Sequence, residues 1–195
     1  MRSEDFVRDI RFFLGDLPER SSTSSLFWQT DEILATAETC RDTLIKALWS
    51  QQRSRQQPFQ LAVTNCLKSL AIGANALPDD YWRGVCAVSA AGEYLPFEST
   101  ERSSGLLAVG DRLVSVSVAG FKLPTDVTTG LIYYVALPTD TLGDAGSFPN
   151  TFTDSFYECL ALLTCLTLLG KKERASADQM MYLAKEVSKV VPTLL

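Results

Sequence analysis

The period of the apolar residues changes twice along this chain, and this limits the fold more than any other feature. Up to about Ala71 apolar residues recur every three or four positions. From Leu77 they fall in short runs divided by Gly and Pro, and after Pro149 the helical period returns. Helices, then short strands, then helices make an α+β chain, a helical bundle with a small antiparallel β-sheet lobe inserted in it. The 195 residues suffice to bury a core and fit one domain. Its helical parts are expected at 1–76 and 149–195, with the β-rich lobe at 77–140.

The first helix is expected over Ser3–Leu14. Ser3 suits the N-cap, Glu4 and Asp5 suit the positive end of the dipole, and Phe6, Val7, Ile10, Phe13 and Leu14 share a face. Gly15 can take the left-handed position after the last turn. A second helix, capped by Thr30, carries the stripe Ile33, Leu34, Ala37, Cys40, Leu44, Ile45 and Leu48. The polar run from Ser50 to Gln57 is either its exposed end or a loop. Phe59, Ala62, Val63, Cys66, Leu67 and Leu70 give a third helix from Phe59 to about Ala71. Leu77-Pro78-Asp79-Asp80 is a turn.

The strand signals are Tyr81–Val88, Glu93–Glu98, Gly105–Val109, Arg112–Val118 and Leu131–Leu137. After Pro149, Phe152, Phe156, Cys159, Leu160, Leu163 and Leu166 form a stripe, which Leu162, Leu168 and Leu169 widen. A helix apolar nearly all round is buried on several sides. Gly170 with Lys171 and Lys172 marks its end. Ser176 and Gln179 form a capping box for a last helix with Met180, Leu183, Ala184, Val187, Val190 and Val191 on one face, stopped by Pro192.

Composition narrows the chemistry. There is no histidine, so the chain cannot form a Ser-His-Asp triad, a Cys-His dyad or a His-ligated metal site by itself. The net charge of −5 opposes wrapping a phosphate backbone. The five cysteines, Cys40, Cys66, Cys86, Cys159 and Cys165, include no Cys-x-x-Cys pair; they read as reduced core residues, with no metal and no cofactor expected. Met1–Asp5 is charged and does not read as a secretory signal. The apolar run Cys159–Leu169 is shorter than the roughly 20 residues that span a bilayer, so no membrane partner is expected.

No nucleotide-binding, nucleophile-elbow or calcium-loop spacing occurs. Asp79-Asp80 is better explained as a solvated turn than as a catalytic pair. Tyr81-Trp82 and Tyr133-Tyr134 are better explained as sheet core than as base-stacking platforms, because no basic groove adjoins them. Arg53 and Arg55 read as a solvated face among glutamines. No catalytic residue is expected, and the chain does not read as an enzyme.

One larger pattern carries a resemblance. Leu77-Pro-Asp-Asp-Tyr-Trp-Arg-Gly-Val-Cys-Ala-Val opens the β-rich region and Leu131-Ile-Tyr-Tyr-Val-Ala-Leu-Pro closes it. Phe148-Pro-Asn-Thr-Phe-Thr-Asp-Ser-Phe-Tyr-Glu-Cys-Leu-Ala-Leu-Leu and a final amphipathic helix follow. This order resembles the head-to-tail adaptor (connector, tail tubular protein A type) family of tailed bacteriophages. That family has a leucine-proline-acidic opening to its sheet, an aromatic strand ending in a polar loop, and a Phe-Pro-x-x-Phe start to a buried helix. Its frequent tryptophan-aromatic pair after the second helix is reduced here to Trp49.

The resemblance implies a structural virion protein at the head-tail junction, assembled from the host cytoplasm. It would form a homo-oligomeric ring, about a dodecamer, that joins the portal protein to a tail or nozzle protein. DNA would pass through its channel without sequence-specific binding. A different class remains open: a cytosolic acidic binding module such as a secretion chaperone or an immunity protein. Val190, Val191, Leu194 and Leu195 continue an apolar stripe to the end of the sequence given and are the candidate partner-binding residues. The other explanation is that they fold back on the bundle.

Overall fold

The computed structural model describes residues 3–16, 27–54, 66–73, 76–97, 112–117, 120–139, 142, 152–171 and 176–194. The chain divides into two compact units. One combines Met1–Asn65 with Asp140–Leu195, and the other is Cys66–Thr139. The class is α+β, with four helices and a small antiparallel sheet among the described residues. The sheet unit begins at Cys66 rather than at Leu77.

The helical unit holds α1 (Ser3–Leu14), α2 (Thr30–Ser54), α3 (Asp154–Lys171), α4 (Ala177–Val190) and a closing 3-10 turn, Val191–Leu194. α3 is its centre and packs against α1, α2 and α4. That role follows from its composition: Phe156, Tyr157, Cys159, Leu160, Ala161, Leu162, Cys165, Leu168 and Leu169 are buried on more than one side. The buried Thr164 hydroxyl on the same helix donates to the Leu160 carbonyl at 2.7 Å, so it is not stranded. The facing stripes are Phe6, Val7 and Ile10 on α1, and Ile33 through Trp49 on α2. The helix runs through Gly170 to Lys171. Lys171 does not cap it, since its ammonium donates to Thr36 Oγ1 on α2 at 3.1 Å.

α1 ends as its glycine suggested. Gly15 takes φ +70°, its N–H donates to Phe12 O at 3.1 Å, and the Asp16 N–H donates to Arg11 O at 2.9 Å. These two bonds form a Schellman motif. Asp16 then acts as a clamp. Its carboxylate accepts from the backbone N–H groups of Phe27 and Trp28 at 3.0 Å each and from Arg11 Nη1 at 3.0 Å. Thr30 does not cap α2; it is the first helical residue, and its hydroxyl accepts from Arg11 Nη2 at 3.2 Å. α2 continues to Ser54, so the described part of the polar run after Ser50 is helix.

The sheet unit has strands β1 (Leu67–Ala71), β2 (Tyr81–Ser89), β3 (Tyr94–Pro96), β4 (Ser115–Ser117), β5 (Gly120–Lys122) and β6 (Gly130–Ala136). Four form an antiparallel sheet in the order β1-β6-β2-β3, and β4 and β5 form a separate pair. β1 corrects the expected third helix, because Leu67–Ala71 is an edge strand paired with β6. Leu67 and Leu70 are three apart, which suits a helix, but β6 supplies a full ladder of backbone partners that the local period does not reveal. The earlier part of that expected helix, Phe59–Asn65, lies outside the described residues. So do Gly105–Val109 and the segment Phe148–Thr151.

Registers define the two faces of the sheet. Leu70, Ile132, Ala87 and Leu95 stand directly opposite one another and form one row. With Phe97, Val114, Phe121 and Val127 this row makes the core of the unit. Two glycines are required there. Gly84 lies where a Cβ would fall 2.3 Å from the Phe97 ring, and a Cβ on Gly130 would fall 2.2 Å from Val88 O.

Candidate functional site

The C-terminal residues singled out above divide. Leu194 is 1% exposed, and the 3-10 turn that carries it packs against α3 and α4. Val190 and Val191 are half-buried, and Leu195 lies outside the described residues. Leu194 is therefore core of the helical unit and not an open docking residue. Deleting Thr193 to Leu195 is expected to lower stability by about 2–4 kcal/mol, as for removal of a buried leucine side chain. A melting curve and a urea titration check this; an unchanged midpoint would return Leu194 to the partner surface.

Apolar surface is exposed elsewhere. Among the described residues four large apolar side chains are more than half exposed: Met181 at 68%, Phe12 at 64%, Tyr94 at 61% and Tyr182 at 56%. Phe12 lies near the end of α1, and Met181 and Tyr182 lie near the start of α4. Gln179 joins these helix ends, since its side-chain amide donates to Phe13 O at 3.5 Å. The expected cap of α4 is present: Ser176 Oγ accepts from the Gln179 N–H at 3.1 Å. The glutamine side chain reaches α1, where a capping box would turn it back to the cap residue.

On the sheet, Ala71, Leu131, Val88 and Tyr94 form the cross-strand row on the face opposite the core row. Leu131 and Tyr94 are exposed in it. These residues were legible only as strand alternation, because which face is covered depends on pairing across the chain.

The acidic turn has a structural role. Lys68 on β1 forms an ion pair with Asp80 Oδ2, and the Tyr134 hydroxyl donates to Asp80 Oδ1 at 3.2 Å. The hydrogen bond to Asp80 holds the Lys68 ammonium above its ordinary pKa. Burial, then the Asp80 charge and hydrogen bond, push the Tyr134 phenol up. Lysine stays protonated and tyrosine neutral at pH 7, so neither acts as nucleophile or base there. The trio fastens the edge strand to the turn that opens β2. Tyr81 stacks edge-on against Phe121 with ring centroids 5.3 Å apart and tilts against Tyr134. These aromatic rings belong to the sheet unit's packing.

The sheet unit also carries an open groove of about 690 Å³ beside β5. Ile72, Phe121, Leu123 and Val127 give it an apolar floor, and among the described residues Lys122 is the one charged residue lining it. The nearby Asp126 is held by Arg112. Among the described residues Lys122 has no ion-pair partner.

All five cysteines are free thiols, and Cys86 alone is only partly buried. Among the described residues no group of three Cys, Asp or Glu side chains could hold a metal ion, and no helix is long and apolar enough to cross a membrane. Burial pushes the Cys159 thiol up to about 11 and Cys165 up to about 12. A thiol whose pKa is raised by folding stays protonated in the native chain while the unfolded chain ionises. Its contribution to stability is complete below the ordinary value of 9.0 and is lost as pH rises through about 11 to about 12. The melting temperature is therefore expected to fall across that window, and to fall less in Cys165→Ala relative to its own neutral-pH value. At pH 8, iodoacetamide should label Cys159 and Cys165 only after unfolding. Rapid labelling of either in the native protein would contradict this burial.

No protein-family model matches this chain, and no curated protein matches it.

Proposed function

We propose that this chain is a structural assembly protein, a subunit of the ring that joins a bacteriophage capsid portal to its tail and extends the DNA channel. The observation that carries the proposal is the exposed Met181-Tyr182 pair on α4. Large apolar side chains held outward on a regular helix lose free energy in water and gain it in an interface. The segment order that resembles the adaptor family supplies the kind of interface. The net charge of −5 suits a channel in which DNA slides without being held.

A ring needs heterologous contacts, in which two different patches of one chain meet around an axis. The free protein is expected to be a monomer or weak oligomer that forms a closed ring on preformed portal rings. Mass measurement of the free protein and of the mixture, with negative-stain images of the mixture, tests this. A tight dimer that ignores portal would favour the acidic binding module.

A further inference from the structure

We infer that the β5 groove of one copy receives the exposed face of α4 from a second copy, with Met181 and Tyr182 on the apolar floor and Asp178 paired with Lys122. The contact rests on the ring reading above and names the two patches that would meet in it.

The groove requires an apolar occupant with a negative charge at its edge. Its floor is Ile72, Phe121, Leu123 and Val127, and Lys122 is the single charge lining it among the described residues. Its volume falls within the roughly 300–1,000 Å³ of sites that hold a compact ligand, so it has room for two side chains. It is open to solvent rather than enclosed, which suits a helix face better than a small molecule.

The exposed apolar groups among the described residues point to one such occupant. Of the four large apolar side chains there that are more than half exposed, Tyr94 has Glu93 beside it, but that carboxylate is held by Arg112 at 2.9 Å. Phe12 has Asp9 one turn before it, but Arg8 lies 3.9 Å from that carboxylate. Met181 and Tyr182 are adjacent, and Asp178 precedes them by one turn on the same helical face. Among the described residues Asp178 has no ion-pair partner. An unpaired carboxylate beside two outward apolar side chains therefore complements an unpaired ammonium beside an apolar floor. The two patches are different surfaces, on different units of the chain; meeting once per pair of copies, without reciprocity, they repeat around an axis as a ring or along one as a filament.

Sedimentation velocity of the full chain, taken up to millimolar concentration, tests the contact with Lys122→Glu, Asp178→Lys and the two combined. Both sites are exposed, so the melting temperature should not move. Each single reversal is expected to weaken self-association about tenfold or more, because it sets like charges against each other, and the combined reversal should restore it. Tyr182→p-benzoylphenylalanine should photocross-link to a peptide within residues 120–128 of another copy. Single reversals that associate like the parent, a combined variant that fails to recover, or a chain that stays monomeric throughout would overturn the contact.

Loading the same variants on portal rings separates the two proposals. If every variant loads and closes like the parent, the contact falls and the ring reading stands. If none loads, the parent included, while free association follows the charge pair, the ring reading falls and the contact stands.

Discussion

Asp16→Ala is expected to destabilise the protein by about 3–5 kcal/mol, the range for breaking a buried ion pair by removing one partner. The side chains of Arg11 and Asp16 are 8% and 11% exposed. The carboxylate also takes the N–H groups of Phe27 and Trp28, so its loss leaves a largely buried guanidinium uncompensated and two backbone donors without their acceptor. Asp16→Asn keeps an acceptor oxygen but removes the charge, and should fall between the parent and the alanine variant. Urea denaturation followed by circular dichroism measures both. A loss below about 1 kcal/mol would mean that the pair behaves as an exposed one and that the clamp is not what fixes the start of α2.

Gly130→Ala is expected to cost roughly 3 kcal/mol or more, from backbone strain together with steric overlap. Gly130 holds φ +141°, a conformation that side chains other than hydrogen rarely adopt. A Cβ there would also meet the Val88 carbonyl at 2.2 Å and Ser89 Cα at 2.8 Å. Both obstacles are backbone atoms of the strand paired with β6, so relief requires the β2-β6 ladder to open at that end. Hydrogen exchange should show the amide of Ala90, which donates to Thr129 O, losing protection first. An alanine variant as stable as the parent, with the same exchange pattern, would refute the close approach.

The elements recovered from sequence are those whose signals are local. α1 has a cap-compatible start, a one-sided stripe and a glycine stop, and its bounds match. The length of α3 and the Ser176 cap of α4 were equally visible, because periodicity and capping need only neighbouring residues. β1 was misassigned for the converse reason: Leu67 and Leu70 fit a helix, and only pairing with β6, far along the chain, makes them a strand. The Asp16 clamp was invisible because two of its three partners are the backbone N–H groups of Phe27 and Trp28, which carry no side-chain signature. Of the candidate site, apolar character at the C-terminus was legible but its direction was not. Leu194 faces inward, while Met181 and Tyr182, which look like ordinary helix residues in sequence, face outward. The β5 groove joins residues from Ile72 to Thr128 and has no sequence signature.

The interrupted make-up of the helical unit has a consequence during synthesis. α1 and α2 leave the ribosome long before α3, which begins only at Asp154, although α3 is the surface they are built to cover. At about 5–20 residues per second their apolar stripes wait on the order of 5–20 s for that partner. The sheet unit is continuous in the chain from Cys66 to Thr139, so all its strands emerge within that interval. Nascent chains stalled with Thr139 outside the ribosome and Asp154 still inside it should therefore carry a protease-resistant sheet unit joined to helices that bind chaperones, and release of α3 should end that binding.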